Sequence, residues 1–421
     1  MSTDFDVTIV GGGAAGIGAA RALTASGRST VLLEASPRLG GRAWTIEIGG
    51  HRLDLGCGWL HSADRNSWTQ IAEASGKAID RRPPLWGAQH HNLGFSPSEQ
   101  SAAKAAFAAW LQRLSETPPP SDCAFDALQP GGEWNGYIQA ITSFISGAPL
   151  ESVSVADYLA YDEAATGSNW RLPQGYGSLI VASFPSQVAL RLATPVEEIE
   201  LESHGLAIKT TGGAVHARAA ILTVSTNVLA DGAIKLPNAL EAWREAARSL
   251  PLGHNEKLFL EVVGQSPFAA ETQVLGNPRG GTAAYTIRPF GRMVIECFFG
   301  GEGALMIKEN GPAAGFDYAI DQLAALFGAG VRPNLRPLIA SCWSRTDRIG
   351  GAYSYALPGL AAARRRLARP FEDRLFFAGE ATNGQDFSTA HGAHDSGVRA
   401  AREALAALQR ISIGSSACPA A

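Results

Sequence analysis

Short apolar runs and longer stretches of 3.6-residue periodicity alternate along this chain. Residues 7–10, Val-Thr-Ile-Val, read as a strand buried in a sheet, and the alanine-rich stretch that follows Gly11 predicts a helix. A second short strand is expected over 30–33, then two more over 44–48 and 51–55. From 68 to 162 the pattern is helical, broken by proline-rich turns at 82–85 and 117–121. The turn-rich segment 169–177 separates these helices from strands expected over 188–192, 196–201, 206–210 and 219–224. Further strands are predicted over 257–263, 284–288 and 293–298, the last two joined across Pro289-Phe290-Gly291-Arg292. A final strand over 375–378 precedes a helix over 389–408. Interleaved strands and helices predict an α/β fold. A Rossmann-like dinucleotide-binding domain is expected to share the chain with a mixed-sheet and helical substrate domain, each built from separated segments. The first is expected from residues 1–75, 190–240 and 340–414, the second from 76–189 and 241–339, with 415–421 as a flexible tail.

Composition narrows this picture. With 421 residues and 46% hydrophobic content the chain can bury a large core across two to three domains. A net charge of −4, mixed along the chain, advertises neither a nucleic-acid nor a membrane surface. The densest basic cluster, Arg364, Arg365, Arg366 and Arg369, reads as a solvated helix face. Cys57, Cys123, Cys297, Cys342 and Cys418 are scattered without a C-x-x-C pair, so neither a zinc ribbon nor a disulfide framework is expected. The first strand begins within a few residues of Met1, leaving no secretory leader to expect, and no apolar run is long enough to span a bilayer. The expectation is a cytoplasmic monomer or homodimer without a metal.

The chemistry concentrates at two glycine-rich turns. Gly11, Gly13 and Gly16 form G-x-G-x-x-G between a strand and a helix opening with Ala14 and Ala15. The first glycine permits a tight turn, the second lets backbone approach a pyrophosphate, and the third lets helix and strand pack closely. Glu34, eighteen residues beyond Gly16 at the end of the second strand and followed by Ala35, is placed to accept from an adenosine ribose. Alone, the glycine motif marks only a tight loop; with strand, helix, strand and acid in register it marks a dinucleotide site. Leu39-Gly40-Gly41-Arg42 then supplies a second close backbone approach and a cation, or else an ordinary turn with a solvated arginine.

Together with the segment from Arg374 to Leu405, these blocks resemble the flavin-containing amine oxidase family over nearly the whole chain. The matching residues include Glu34-Ala35, Leu39 to Trp44, Asp54-Leu55-Gly56, Gly175-Tyr176-Gly177, Thr223-Val224 to Leu229, Gly253 through Lys257, Trp343, Asp347, Gly351 to Tyr355, Gly379 to Thr382 and His391-Gly392-Ala393. Trp59-Leu60-His61, Gly351 to Tyr355 and Ser388 to Ala393 resemble blocks of the polyamine-oxidase and histone-demethylase branch, although this chain lacks room for a demethylase's accessory domains. The resemblance implies FAD, held without a covalent link because Ala352 stands where monoamine oxidases carry the flavin-linked cysteine. The implied cofactor contacts are Gly11, Gly13, Ala14, Ala15, Gly16, Glu34, Ala35, Gly40, Gly41, Arg42, Gly56, Cys57, Gly58, Trp59, Val196, Gly379, Glu380, Thr389 and Ala390. Glu380 is expected to accept from the ribityl hydroxyls. The amides opening the helix at Thr389 are expected to face the pyrimidine end of the flavin.

The resemblance also implies the reaction: oxidation of a small-molecule amine, a polyamine among the candidates, with dioxygen reoxidising the flavin to give hydrogen peroxide. Tyr353 resembles the aromatic wall that orients the amine, and Lys257 the lysine that assists reoxidation. A rival reading makes Lys257 a solvated strand residue beside Glu261. His61, titrating near neutrality, is a candidate to bind the amine or accept its proton, or else a hydrogen-bonded structural residue, and Trp343 either lines the pocket or packs in the core. Asp157, Asp162 and Glu163 are candidate polyamine carboxylates or surface acids. Two departures stand out: Ser36 replaces an arginine near the ribose acid, and Thr389 replaces a second aromatic wall. Rival functions are a dehydrogenase or desaturase of a non-amine substrate, an L-amino-acid oxidase needing an arginine such as Arg171, Arg288 or Arg345, and a flavin-binding protein without catalysis.

Overall fold

The computed structural model describes residues 3–416, with side chains to residue 410. Four strands set its frame: Phe5–Val10, Thr30–Leu33, Gly213–Leu222 and Leu375–Phe377 run parallel in one sheet. Their register pairs Val10 with both Leu33 and Leu222, and Leu222 with Phe377, so all four carboxyl ends finish on one line. Gly11, Glu34, Thr223 and Gly379 are therefore brought to one sheet edge, where open α/β sheets bind ligands. Ala189–Arg191 extends the sheet in parallel, and Val196–Glu202 and Gly205–Thr210 complete its seven strands in antiparallel. Both faces are covered. Val7, Ile9, Leu32 and Ile221 pack beneath helices on one side, while Val10, Val31, Leu33 and Leu222 pack on the other.

Glycines fix how the first helix, Ala14–Thr24, crosses the last, Ala390–Ser416. A Cβ on Gly18 would lie 2.5 Å from His394 O, and one on Gly397 only 2.0 Å from Ala15 O. Backbone meets backbone at this crossing, among Ala19, Ala20, Ala400 and Ala401, and the contact places the start of the last helix beside the dinucleotide turn. The last helix runs through Ser415 and Ser416. The rest of the tail expected over 415–421, with Cys418, lies outside the described residues.

A second sheet of five antiparallel strands runs in the order Thr272–Leu275, Ala283–Ile287, Val294–Gly300, Asn255–Val262, Leu335–Ala340. One face, with Leu258, Leu260, Cys297 and Phe299, packs on the helix Pro312–Phe327. Cross-strand partners share a face, so Lys257 with Phe298 and Phe259 with Glu296 line the other. The strand Leu335–Ala340 escaped the sequence reading because Pro337 interrupts it. It is an edge strand, where a missing N–H is tolerated. Over 68–162 the helices are Ser67–Ala74, Pro97–Glu116, Asn135–Ser146 and Val155–Ala164, the last three gathered around Trp110, Ile138, Leu150 and Tyr158. Among the described residues no helix is long and apolar enough to cross a membrane, and no group of three or more His, Cys, Asp or Glu residues is arranged to hold a metal ion.

Candidate active site

The dinucleotide turn explains each of its glycines differently. Gly11 has φ +107° and its Cβ would meet Thr223 Oγ1 at 2.6 Å; a Cβ on Gly16 would sit 1.9 Å from Gly11 O. Gly13 is unlike both. Its nearest neighbour in the Cβ direction is Gly40 O at 3.9 Å, leaving an open face. The two glycine turns abut there: Gly13 bridges Gly40, and Gly40 N donates to Gly12 O at 2.8 Å. Glu34 is buried, accepting from Gly12 N at 2.6 Å and Ser36 N at 2.7 Å, so each carboxylate oxygen retains a lone pair for a ribose hydroxyl. Thr194 N donates to Glu34 O at 2.8 Å, which brings Val196 toward the same end of the sheet. At the last helix, Thr389 Oγ1 accepts from Gly392 N at 3.0 Å, while the amides of Ala390 and His391 have no acceptor among the described residues. Thr226 Oγ1, which the sequence reading missed, is buried without a partner and lines a cavity with Arg42, Val224, Gly379 and Glu380. An open glycine face, free helix amides and an orphaned hydroxyl along one sheet edge fit an extended dinucleotide of the FAD kind.

One cofactor contact needs correction. Glu380 does not have spare acceptor capacity for ribityl hydroxyls. Its carboxylate already accepts from Arg42 Nη1 at 2.9 Å, Ser354 N at 3.1 Å, Ser354 Oγ at 2.6 Å and Ser388 N at 3.0 Å. Burial pushes its pKa up, but Arg42, Ser354 and Arg364 outweigh this and hold it below the ordinary value. Its work is to fix Arg42, which also reaches Ala352 O at 2.5 Å. The Thr389 hydroxyl caps its own helix and donates to Asp386 O at 2.6 Å, so the contact expected at Thr389 and Ala390 falls to the helix amides.

Between the sheets, Gly56, Cys57, Gly58 and Trp59 run past Lys257. A Cβ on Gly56 would come within 1.7 Å of Arg42 O, and one on Gly58 would be 3.1 Å from Lys257 Nζ. Cys57 is no nucleophile, because burial raises its thiol far above the ordinary value. Lys257 is buried, and its ammonium pairs with Glu296 at 2.9 Å and donates to Asp54 O at 3.3 Å. Burial pulls its pKa down, but Glu296 and Asp54 more than reverse this, so it stays charged. The solvated reading beside Glu261 fails: Glu261 pairs with Arg336 instead. Asp54 takes Thr45 Oγ1 at 2.5 Å and the amides of Tyr176 and Gly177, which ties Asp54-Leu55-Gly56 to the Gly175-Tyr176-Gly177 turn. Tyr353 is held by its hydroxyl, which donates to Phe144 O at 2.6 Å, and the Phe144 ring stacks on Phe298 beside Lys257.

Trp343 takes the core role of its two readings. It is 5% exposed, gives its indole N–H to Leu55 O at 3.0 Å and packs on Trp44, Leu53 and Phe259. His61 is half-buried at the front of the site, with Nδ1 2.8 Å from Asn169 Oδ1. Burial pushes its pKa down to about 4, Asn169 opposes this, and His391 and Lys257 add to it. A ring that acidic is a poor proton acceptor for an ammonium, each unit of mismatch costing about 1.4 kcal/mol. Trp86, also missed from the sequence, packs on both Trp59 and His61, its rings 4.7 and 5.6 Å away, and is 44% exposed.

Charges expected at the surface are inside. Asp157 is buried against Arg364, the first of the supposedly solvated arginines. Arg171 is neutralised by Asp80 and Glu271, at 2.7 and 3.0 Å, and lies over Phe290. It is therefore not free to bind a substrate carboxylate. Arg288 donates to Phe268 O.

A family model described as flavin containing amine oxidoreductase matches residues 86–405, and one for a NAD(P)-binding Rossmann-like domain matches residues 9–74. A pseudooxynicotine dehydrogenase from Pseudomonas sp is 27% identical over 62% of this chain; the match spans only 59% of that protein. Polyamine oxidase 4 of Oryza sativa subsp. japonica is 25% identical, covering 94% of this chain and 88% of its own. Among solved structures, a putrescine oxidase redesigned in cofactor binding superposes with a TM-score of 0.75 at 19% identity, over 96% of this chain and 99% of that one, a likeness of fold.

Proposed function

This chain belongs to the flavin-containing amine oxidoreductase family, with FAD as its cofactor, and from that premise we propose that it oxidises a primary or secondary amine to an imine, with dioxygen as terminal acceptor and hydrogen peroxide as product. The observation carrying this reading is the buried Lys257 cation, held by Glu296 and Asp54 at the Gly58 turn. FAD, bound without a covalent link, supplies the acceptor for the hydride leaving the substrate's α-carbon.

The chain's own residues do the rest. Gly11, Gly13, Gly40 and Gly41 bring backbone to the diphosphate, Glu34 accepts from the ribose, and Arg42 is locked by Glu380. Tyr353, pinned to Phe144 O, presents a ring edge or face that orients the amine and tolerates its cation. Lys257 would keep a fixed positive charge beside the bound flavin and would assist its reaction with dioxygen. Trp59 and Trp86 shield the approach beside His61.

The commitments of the acids bear on the substrate class. Asp157 is committed to Arg364, Glu296 to Lys257, and Asp80 and Glu271 to Arg171. Of the three sequence candidates Asp157 is excluded, while Asp162 and Glu163 remain to receive a second ammonium, so a polyamine stays among the candidate substrates beside amines with one cationic centre. The relative named as a dehydrogenase supports a second reading, in which a carrier other than oxygen takes the electrons. Anaerobic bleaching of the flavin by a panel of monoamines, cyclic amines, polyamines and amino acids tests the substrate reading. Peroxide yield on readmitting air separates the two acceptors. A flavin bleached by no amine would overturn the proposal.

A further inference from the structure

The segment between Asp80 and Gln89 crosses the front of the site as a strap held at both ends. At the first end Asp80 exchanges two backbone hydrogen bonds with Arg171, whose strand Trp170–Arg171 pairs with Trp59–Leu60. Arg82 secures that end, donating to both carboxylate oxygens of Asp80 at 2.8 Å and to Glu271 at 2.9 Å. At the other end the Gln89 amide holds Leu275, accepting from its N–H at 2.8 Å and donating to its carbonyl at 3.2 Å. Between these clamps the backbone of residues 83–87 is tied only to its own turn: among the described residues its one hydrogen bond runs from Ala88 N to Leu85 O at 2.9 Å. Pro83 and Pro84 have no N–H to give and keep their stretch stiff. Gly87 makes the turn, with φ +76° and no atom within 4 Å of where a Cβ would stand.

Leu85 and Trp86 on this strap are 43% and 44% exposed, two neighbours among the few large apolar side chains that the described surface shows. The Trp86 ring is laid down on Trp59 at 4.7 Å and on His61 at 5.6 Å. Ring contacts of this kind are weak enough to open and close thermally, and the backbone beneath them has no bond to break when they do. We propose that Trp86 is the specificity-determining gate of the site. Lifted with its strap, it admits the amine; lowered onto Trp59 and His61, its ring closes the mouth and limits how far the amine's remainder extends outward. The proposal rests on the amine-oxidase reading. Trp86 acts by bulk alone, so no bond is made or broken at it, and the gate selects by size: a short amine or dioxygen passes more freely than a long amine. The clamps at Asp80 and Gln89 stay in place, so the strap moves between fixed ends.

The first test uses no amine. The flavin of the holoenzyme is photoreduced without air, then oxidised either by dioxygen or by ferricenium, a bulky one-electron acceptor consumed twice per flavin. Trp86→Ala should speed oxidation by ferricenium about tenfold more than oxidation by dioxygen, the low end of the size discrimination a pocket wall exerts. Trp86→Phe keeps a ring on Trp59 and should stay near the wild type. Equal acceleration of both acceptors in Trp86→Ala, or of neither, would overturn the proposal. The second test is anaerobic bleaching by linear amines of increasing length. In Trp86→Ala the second-order rate for the longest amine should gain about tenfold over that for the shortest, and an unchanged order of rates would overturn the gate. If ferricenium and dioxygen separate as expected but no amine bleaches any of the three proteins, the gate stands and the amine-oxidase reading falls.

Discussion

Asp157 and Arg364 form a bidentate ion pair inside the protein, Nε 2.6 Å from Oδ1 and Nη2 2.8 Å from Oδ2, with the arginine only 2% exposed. The guanidinium lies 3.5 Å over the Phe387 ring and passes a third N–H to Ser354 Oγ, the same hydroxyl that donates to Glu380. The pair thus connects the helix Val155–Ala164 to the residue that locks Arg42. Removing one partner leaves a buried charge, so Arg364→Met should destabilise the fold by about 3–5 kcal/mol. Urea unfolding of the holoenzyme measures it, with FAD release expected at lower denaturant than global unfolding of the wild type. Replacing both charges, Asp157→Leu with Arg364→Met, should recover part of the loss. If the double variant is no more stable than the single, the unpaired charge is not the cause.

Glu296 is the main support of the Lys257 charge, at 2.9 Å. Because the folded pKa of Lys257 lies above its ordinary 10.5, the stabilisation is complete below that pH and is lost as pH rises through the folded value. Glu296→Gln removes the largest upward influence, so the folded value falls. Stability should drop by about 1–3 kcal/mol at neutral pH, and the alkaline loss should begin at lower pH. Melting temperatures of both proteins from pH 7 to 11 check this; parallel curves would show that Glu296 does not hold the charge.

How much of this was legible in the sequence depends on reach along the chain. Gly11 to Gly16, Glu34 and Gly40-Gly41 stand out because one strand–helix–strand unit imposes their spacing, and the structure brings all of them to one sheet edge. The four strands of the parallel sheet were visible as short apolar runs for the same local reason. The partners of charged residues were not. Asp157 and Arg364 are 207 positions apart, Arg42 and Glu380 338, and His61 and Asn169 108. Nothing local distinguishes Arg364 from Arg365 and Arg366, and only the packed core shows which one turns inward. Glu380 was recognised as functional, but its four donors come from three separate segments, so its saturation was invisible.

Asp80 gives an acid-side signature. Arg82 is the largest cause of its low pKa, about 2, with Arg171 adding to it against a modest burial penalty. A depressed folded value contributes stability that is complete above the ordinary 3.8 and disappears as pH falls through about 2. Asp80→Asn should therefore destabilise at pH 5 and make little difference at pH 2. It should also loosen Arg171, whose strand pairs with Trp59. Thermal unfolding at the two pH values measures the first effect, and Trp fluorescence anisotropy around Trp86 the second.

Gly13 and Gly16 separate cofactor binding from folding. A methyl on Gly13 would project into the open face, with no protein atom nearer than Gly40 O at 3.9 Å. Its φ of −78° is one any residue adopts. Gly13→Ala should then fold normally, with an apoprotein melting temperature close to that of the wild-type apoprotein. FAD affinity should nevertheless fall at least about tenfold, since loss of a close backbone approach costs more than the 1.4 kcal/mol of one decade. Gly16→Ala meets protein instead. Its Cβ would stand 1.9 Å from Gly11 O, so the first strand and helix must move apart. Overpacking of this kind costs about 1–3 kcal/mol, and here it should appear in the apoprotein as well. Titrating FAD into both apoproteins, alongside their melting curves, reads the two effects independently. Equal destabilisation of the two apoproteins would mean that the open face at Gly13 is not reserved for a ligand.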